Sequence, residues 1–466
     1  MPAGAGRERW TYLTHNSISM LCGIVFQDSL SGLNGRLQGT VQDCTSGKDP
    51  SCQNFTASQF NGIYVSGFWI GAVISVLTGF FVARFGIWMT SYLTAILLFL
   101  GSTLFTLGAY CSSSGSAFAV MLIGRLLGSI GIYGNFVVTG EVKSHWFSGK
   151  ELALAFSIFF FFGRLGSIIS FASVGTLLEN LGLQNTLWIL WGIDQVGTLC
   201  YILAGWVYKS HTSTRLDEKV IHDTAASVQF NVSTLGHLGT SCWLMCTVIF
   251  FYYGAFNSVL ADGTKFFIEM YDYSEAKAAV VVGIIPDISL IAPLIGWLID
   301  KHGNRDVITS LGSLLLLVGL LIIAPIPADA AMIVGLSFLA VSFSMDIACF
   351  WSNIPVLITV PALAGVAIGV AIASELLASG LLLLISGFIL DNTSNTTDIR
   401  WMNFFVLITL FAGIALVFTV ILLWHDWRKG GWKLRRAAGG GVDSIPAIMT
   451  AEGAPVPLPD EGKQQY

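Results

Sequence analysis

Residues 296–305 read GWLIDKHGNR, and residues 79–86 read GFFVARFG. In each stretch two glycines stand seven positions apart at the end of an apolar segment, with a basic residue close by. Glycine lets two helices approach and lets the chain turn, while an acid such as Asp300 can cap a helix end or pair with a base. The same short element in two parts of one chain predicts two equivalent halves.

The sequence around these two elements is strongly apolar. Of 466 residues, 54% are hydrophobic and only 11% are charged, whereas a soluble protein has about 25% charged residues. About 20 apolar residues are needed to cross the hydrocarbon core of a bilayer. We therefore predict an all-α membrane protein with twelve transmembrane helices in two pseudo-symmetric six-helix bundles. The predicted spans lie near residues 10–33, 60–83, 87–110, 116–140, 150–176, 185–207, 238–261, 275–299, 307–325, 328–350, 360–389 and 400–424.

The spans also predict how the chain is divided. If the N-terminus is cytosolic, 16 of the 23 Lys and Arg residues, Lys143 among them, fall on the cytosolic side, in agreement with the positive-inside rule. No cleavable signal peptide precedes the first span. The predicted regions are a cytosolic N-terminus (1–9), a first bundle (10–208), a cytosolic linker (209–236), a second bundle (237–425) and a basic, disordered cytosolic tail (426–466).

The loops on the opposite side carry modification signals. Asn54, Asn392 and Asn395 begin Asn-X-Ser/Thr sequons, and we predict glycosylation at all three. Cys44 and Cys52 share the first of these loops. A disulfide between them and two free thiols both remain open at this stage.

Several further motifs carry a family resemblance. Residues 145–152 read HWFSGKEL, Arg164 lies in GRLGS, residues 251–256 read FYYGAF, and residues 350–355 read FWSNIP. With the duplicated Gly-rich element, they make the chain resemble the major facilitator superfamily, and within it the lysosomal dipeptide transporter branch. The resemblance implies alternating access, a dipeptide uniporter, a lysosomal or vacuolar membrane and a single-span glycosylated accessory subunit.

In that superfamily the Gly-rich loops form a cytosolic latch whose charge pairs break as the halves rock. In the N-terminal copy Ala83 stands where the acid is expected, which puts the first charge pair in doubt. The predicted latch residues are Gly79, Arg84, Gly86, Gly296, Asp300, Gly303 and Arg305.

One arginine interrupts the most aromatic stretch of the chain. Residues 159–167 read FFFFGRLGS and place Arg164 near the middle of the fifth span, where a charge costs from about 2.5 to more than 10 kcal/mol. A guanidinium matches a carboxylate with two parallel hydrogen bonds, and the resemblance implies that Arg164 binds the terminal carboxylate of the substrate. The alternative is an internal ion pair with Asp28. We expect the phenylalanines themselves to face lipid or the core.

The acidic partner of the family is missing from its usual place, because Tyr133 occupies the position of the fourth-span Glu. Glu375 is the best-placed replacement, and Glu375 and Asp287 are the candidate proton sites; each could instead be a hydrogen-bonded structural acid, as could Asp346. Arg125 and Asp194 are expected to have packing roles. The predicted substrate-binding residues are Arg164, Trp351, Glu375, Tyr133, Asp28 and Tyr252, with Tyr252 and its neighbour Tyr253 as gate candidates.

These features favour an alternating-access carrier of small zwitterions, most simply dipeptides. A proton-coupled symporter of organic anions or amino acids is the alternative: Glu375 and Asp287 favour proton coupling, and Tyr133 favours an organic anion. A non-transporting receptor or assembly subunit is a third. We predict no cofactor, no metal site, no enzyme activity and no nucleic-acid partner, since the C-terminal basic cluster follows a span. A plasma-membrane location is the alternative to the lysosome.

Overall fold

The computed structural model describes residues 6–39, 44, 52–211, 232–273, 281–285, 288–323, 329–358, 363–390 and 396–437. All regular secondary structure in these residues is helical. The main helices are α1 (Arg7–Leu37), α2 (Ala57–Gly108), α3 (Ser114–Trp146), α4 (Leu152–His211), α5 (Thr240–Tyr271), α6 (Ala292–His302), α7 (Arg305–Ile323), α8 (Asp329–Leu357), α9 (Ala364–Leu390) and α10 (Thr397–His425). Short 3₁₀ helices at Val232–Leu238 and Ser289–Ile291 precede α5 and α6, and a π turn at Asp426–Gly430 and a 3₁₀ turn at Lys433–Arg435 follow α10.

The sequence explains where these helices begin and turn. Thr56 and Gln59 form a capping box at the start of α2, in which each side chain accepts from the backbone N–H of the other. Gly86 (φ 81°) and Gly182 (φ 74°) then break α2 and α4 into two segments each. Positive φ is strained for residues with a Cβ, so both long helices reverse where a glycine allows it.

The membrane spans agree with the sequence-based prediction. In the part of the chain that the structure describes, nine helical stretches are long and apolar enough to cross a membrane. Two of them contain the turns at Gly86 and Gly182, which raises the number of crossing segments to eleven. Helix α1 supplies the twelfth and is more polar, with Arg9, Asn16 and Asp28 along it.

The helices form two bundles. In the first, α1 packs along α4 and α2 along α3; in the second, α5 packs on α9 and α10, and α7 on α8. The bundles meet where α9 packs against α2 and α3, and where α4 packs against α6 and α8. These two contacts join the second span to the eleventh and the fifth to the eighth, which are equivalent pairs in a two-fold repeat.

The described residues bear on some of the predictions made for the loops and not on others. Cys44 and Cys52 form a disulfide with a Cα–Cα distance of 5.8 Å, which settles the alternative left open by the sequence. Asn54 is exposed, and its glycosylation stays a prediction. Asn392, Asn395 and Asp287 lie outside the described residues, as do 212–231 of the linker and 438–466 of the tail, so the predicted domain boundaries there stay untested.

Candidate functional site

Arg164 reaches from the first bundle to the second. It lies on α4, and its guanidinium carbon is 4.6 Å from the ring centroid of Phe343 on α8. The side chain is only partly buried. Among the described residues it forms no hydrogen bond and no salt bridge. The alternative of a fixed ion pair with Asp28 is therefore not what the structure shows.

Two carboxylates from opposite bundles lie within electrostatic range of Arg164. Asp28 on α1 accepts a hydrogen bond of 2.6 Å from Ser167 Oγ, one turn after Arg164. Glu375 on α9 is half-buried, and no described residue forms a hydrogen bond or salt bridge with its carboxylate. The site thus combines a cation with one acid from each bundle. Asp28 is already hydrogen-bonded, and no described residue bonds the carboxylate of Glu375.

Tyr133 lies beside these acids at the interface between the bundles. Its hydroxyl accepts from Gln27 Nε2 at 3.4 Å, and Asp28 and Glu375 are both electrostatic neighbours of that hydroxyl. A Cβ added at Gly71 would overlap the Tyr133 ring, so the missing side chain at Gly71 makes room for a residue much larger than an acid. Tyr133 therefore provides bulk and a hydroxyl where the resembled family has a charge.

Aromatic side chains from both bundles contact one another beside the site. Trp351 Nε1 donates to the Tyr253 hydroxyl at 3.2 Å, and the Trp351 ring is 5.6 Å from the ring of Phe160 on α4. Tyr253 also lies within electrostatic range of Arg164 and Glu375. The phenylalanine run thus contributes Phe160 to the interface between the bundles, a contact that the sequence did not reveal.

Tyr252 points elsewhere. It is fully buried, its hydroxyl is 2.8 Å from Ser342 Oγ, and Asp346 is its acidic neighbour. This network lies inside the second bundle. Tyr253, rather than the Tyr252 that the sequence singled out, is the tyrosine beside Arg164.

Arg125 and Asp194 border a small cavity next to the site, and Arg125 also lies within electrostatic range of Asp28 and Tyr133. A mostly apolar cavity of about 30 Å³ lies within the first bundle, between α1, α2, α3 and α4, and Gln27 and Ser129 also border it. A volume of this size accommodates one or two water molecules. It is too small for a dipeptide, and the packing role expected for both residues stays a prediction.

The Gly-rich elements come together at one end of the molecule, which we call the latch end. Asp300 accepts from the backbone N–H groups of Ala153 (3.1 Å) and Leu154 (2.8 Å) at the start of α4, and Arg305 Nη2 donates to Asp300 at 3.0 Å. A Cβ at Gly296 would lie 2.8 Å from the Ala153 carbonyl oxygen. The acid of the second bundle thus caps the N-terminus of a helix in the first, and Gly296 permits the approach. Arg305 also donates to Ser352 at 2.6 Å, and Gly303 turns the chain with φ 72°.

The first bundle reaches the second in a different way. A Cβ at Gly79 would lie 2.6 Å from Val366 Cα in the first turn of α9. Arg84, in contrast, is exposed and stacks on Phe85, 5.7 Å away. The nearby acid is Glu141 of α3. One oxygen of Glu141 is 2.7 Å from His145 Nε2, and the other faces Gly365 at the N-terminus of α9.

Glu141 therefore occupies the helix terminus that Ala83 leaves without an acid. A carboxylate beside a helix N-terminus is favourable because the peptide dipoles place partial positive charge there. This role could not be predicted from the sequence, since Glu141 lies at the end of the fourth span and not in the Gly-rich element.

Lys143 requires a correction. The sequence-based prediction places it among the cytosolic charges, but it lies within α3 and its exposed fraction is 1%. Its ammonium stands 3.5 Å from the ring centroid of Phe159. The reason is that α3 continues to Trp146 and turns this side chain inward against α4.

Comparisons with known proteins identify the fold. The lysosomal dipeptide transporter MFSD1 of Danio rerio is 24% identical over 390 residues, which cover 81% of each chain. The human protein of that name is 26% identical, but the match covers only 53% of this chain and 54% of that one. A structure of the proton:xylose symporter XylE bound to 6-bromo-6-deoxy-D-glucose superposes with a TM-score of 0.68 over 90% of this chain and 96% of that one, at 15% identity.

The XylE comparison shows the fold alone, because the identity is low. The family model of the Major Facilitator Superfamily matches residues 52–381, which extend from the first loop to the eleventh span. A member of this family is expected to have two six-helix bundles that meet through equivalent pairs of spans, as this chain does. The chain belongs to the Major Facilitator Superfamily and is a multi-pass membrane transporter.

Proposed function

We propose that this transporter carries dipeptides or similar small zwitterions by facilitated diffusion, and that Arg164 binds the carboxylate of the substrate. The observation that carries the proposal is that Arg164 lies between the bundles without a hydrogen bond or salt bridge to any described residue. A guanidinium in a span needs a partner or water. A substrate carboxylate supplies a partner that can arrive and leave.

The two acids indicate where the ammonium group of the substrate binds. Asp28 already accepts from Ser167, whereas no described residue bonds the carboxylate of Glu375. We therefore assign the substrate's ammonium group to Glu375. The aromatic surface of Trp351, Tyr253 and Phe160 is left to contact an apolar substrate side chain. The names of the relatives support a dipeptide as the substrate and a lysosomal membrane as the location. The single-span accessory subunit that the resemblance implies stays a prediction.

The second candidate is a proton-coupled carrier of organic anions. Tyr133 favours it, since a substrate without an ammonium group needs no acid at that position. Glu375 would then bind a proton instead of the substrate. The two candidates differ in whether an amino group on the substrate contributes to affinity.

Binding to the purified protein tests the assignment of Arg164. A ligand at about 100 times its Kd stabilises the folded state by about 2.7 kcal/mol, so a dipeptide should raise the unfolding temperature of the wild type. Arg164→Met should abolish that shift, because it removes the donors and keeps most of the apolar volume. C-terminally amidated dipeptides should give no shift with either protein.

Arg428→Met is the matched control. Arg428 is exposed and stacks on Trp424, 5.3 Å away, at the latch end, so its loss should leave the dipeptide-induced shift unchanged. An Arg164→Met protein that is folded and still stabilised by the dipeptide would refute the assignment.

A further inference from the structure

A further basic side chain, Lys143, lies in the interior, one to two helical turns closer to the latch end than Arg164. The ammonium of Lys143 is 3.5 Å from the ring centroid of Phe159 and 4.4 Å from that of Phe156. Among the described residues it forms no hydrogen bond and no salt bridge. Its only partners there are ring faces.

This arrangement is costly for the folded protein. Removing an ammonium group from water without a carboxylate partner carries a large penalty, and the faces of phenylalanine rings return only part of it. Apolar residues of similar volume would pack in the same space without that penalty. An unpaired ionisable residue inside a membrane protein therefore points to a role in the passage of a solute.

The neighbours of Lys143 place it at the contact between the bundles. Its ammonium is 6.0 Å from the ring of Phe160, and Phe160 contacts Trp351 of the second bundle. On the same helix, Gly140 is covered by Ile368 of α9. Lys143 is thus shielded by rings of its own bundle. One of these rings, Phe160, would lose its contact with Trp351 if the bundles parted at the latch end.

The three rings of Phe159, Phe160 and Trp351 form a layer between the two cations. Arg164 follows Phe160 by four residues on α4, which is about one helical turn. Phe156, the other ring beside Lys143, lies one turn on the opposite side of Phe160. The layer therefore separates a cation in the substrate site from a cation nearer the latch end.

We propose that Lys143 is a second carboxylate-binding position, reached by the substrate after Arg164 when the latch end opens. The proposal rests on the proposed function and adds a second binding position to the same transport pathway. A compact ammonium group holds a carboxylate as a point charge, without the geometric demand of a guanidinium. Two weaker sites in series let a charged solute leave more readily than one tight site.

The test compares the two faces of the transporter. Dipeptide uptake is measured in right-side-out and inside-out vesicles, which gives a half-saturating concentration for each side. Lys143→Met should raise that concentration on the latch side by about tenfold, the loss expected for one charge-assisted hydrogen bond. It should leave the value on the opposite side unchanged, and Lys143→Arg should behave like the wild type.

Lys209→Met is the matched control, because Lys209 is exposed at the same end and stacks on Trp88 at 3.8 Å. It should match the wild type on both sides. If Lys143→Met also matches the wild type on both sides, or shifts both sides equally, the second position does not exist. Arg164→Met should shift both sides, and its failure to do so would count against the proposed function instead.

A measurement on the wild type decides the question if Lys143→Met does not fold. An amine-acylating reagent is added from the latch side, and modification of Lys143 is followed by peptide mass spectrometry. A dipeptide should protect Lys143, and its C-terminal amide should not. No modification at all, or modification that the dipeptide does not slow, would overturn the proposal.

Discussion

The residues around Arg164 divide the recognition of a zwitterion between the two bundles. Arg164 belongs to the first bundle and rests on Phe343 of the second, while Glu375 belongs to the second and lies within electrostatic range of Arg164. A ligand with one charge of each sign would therefore contact both bundles at once. This suits a carrier, because such contacts are altered when the bundles rock against each other.

Glu375→Gln separates the two ends of the substrate. We expect about a tenfold loss of affinity for a dipeptide with a free amino group, since one charge-assisted hydrogen bond contributes about 1.5–3 kcal/mol. An N-acetylated dipeptide should bind the variant and the wild type equally. Isothermal titration calorimetry measures both affinities, and an equal loss for both ligands would show that Glu375 does not bind the amino group.

At the residue scale, the sequence indicates where charges lie along the helices. It does not indicate which way each side chain points from its helix. The position of Arg164 against the second bundle could be predicted, because a cation among phenylalanines in a span has few explanations; its role in binding stays a prediction. The choice between Tyr252 and Tyr253 could not, since neighbouring residues on a helix point about 100° apart and only packing shows which one meets Trp351. Lys143 was misplaced for the same reason.

At the scale of helices, the two bundles close the latch end by different means. In one contact Asp300 from the eighth span caps α4; in the other Glu141 from the fourth span faces the start of α9. Both place a carboxylate at a helix N-terminus of the opposite bundle. The contact of Asp300 includes two backbone hydrogen bonds, whereas that of Glu141 leaves one oxygen buried without a hydrogen bond.

Asp300→Asn should loosen the latch end. An amide keeps the shape but loses the charge in two hydrogen bonds across the bundles, and hydrogen bonds to a charged group contribute about 1.5–3 kcal/mol each. We expect the population with an open latch end to rise at least about tenfold. A cysteine introduced at Ser157, which faces Gly296, should then react faster with an impermeant maleimide added from the latch side.

Asp398→Asn is the control for this measurement. Asp398 lies in the first turn of α10, at the end of the bundle far from the latch, so its loss should not change the labelling rate. Labelling that is equally slow in the wild type and in Asp300→Asn would show that Asp300 does not hold the latch end closed.

The elements themselves followed from the sequence to a large extent. Gly86 and Gly182 turn the chain within the loops that the apolar pattern predicted, and Gly296 and Gly79 allow the close approaches expected of a repeated motif. The role of Glu141 could not be predicted, because it depends on which spans meet across the interface. A local motif does not indicate which distant spans contact each other.

At the scale of the whole molecule, the question is whether transport is coupled to protons. A uniporter brings the dipeptide to the same concentration on both sides of the membrane, whatever the pH gradient. We therefore expect uptake into proteoliposomes to reach the same plateau with and without an imposed gradient. Accumulation above the external concentration under a gradient would support the proton-coupled alternative and would contradict facilitated diffusion.

The central claim is that Arg164 binds the carboxylate of a solute that crosses between the bundles. Counterflow of a labelled dipeptide in proteoliposomes tests it most directly. We expect exchange by the wild type and by Arg428→Met, no exchange by Arg164→Met, and no competition from the amidated dipeptide. Exchange by folded Arg164→Met at the wild-type rate, or equal competition by the amide, would contradict the claim.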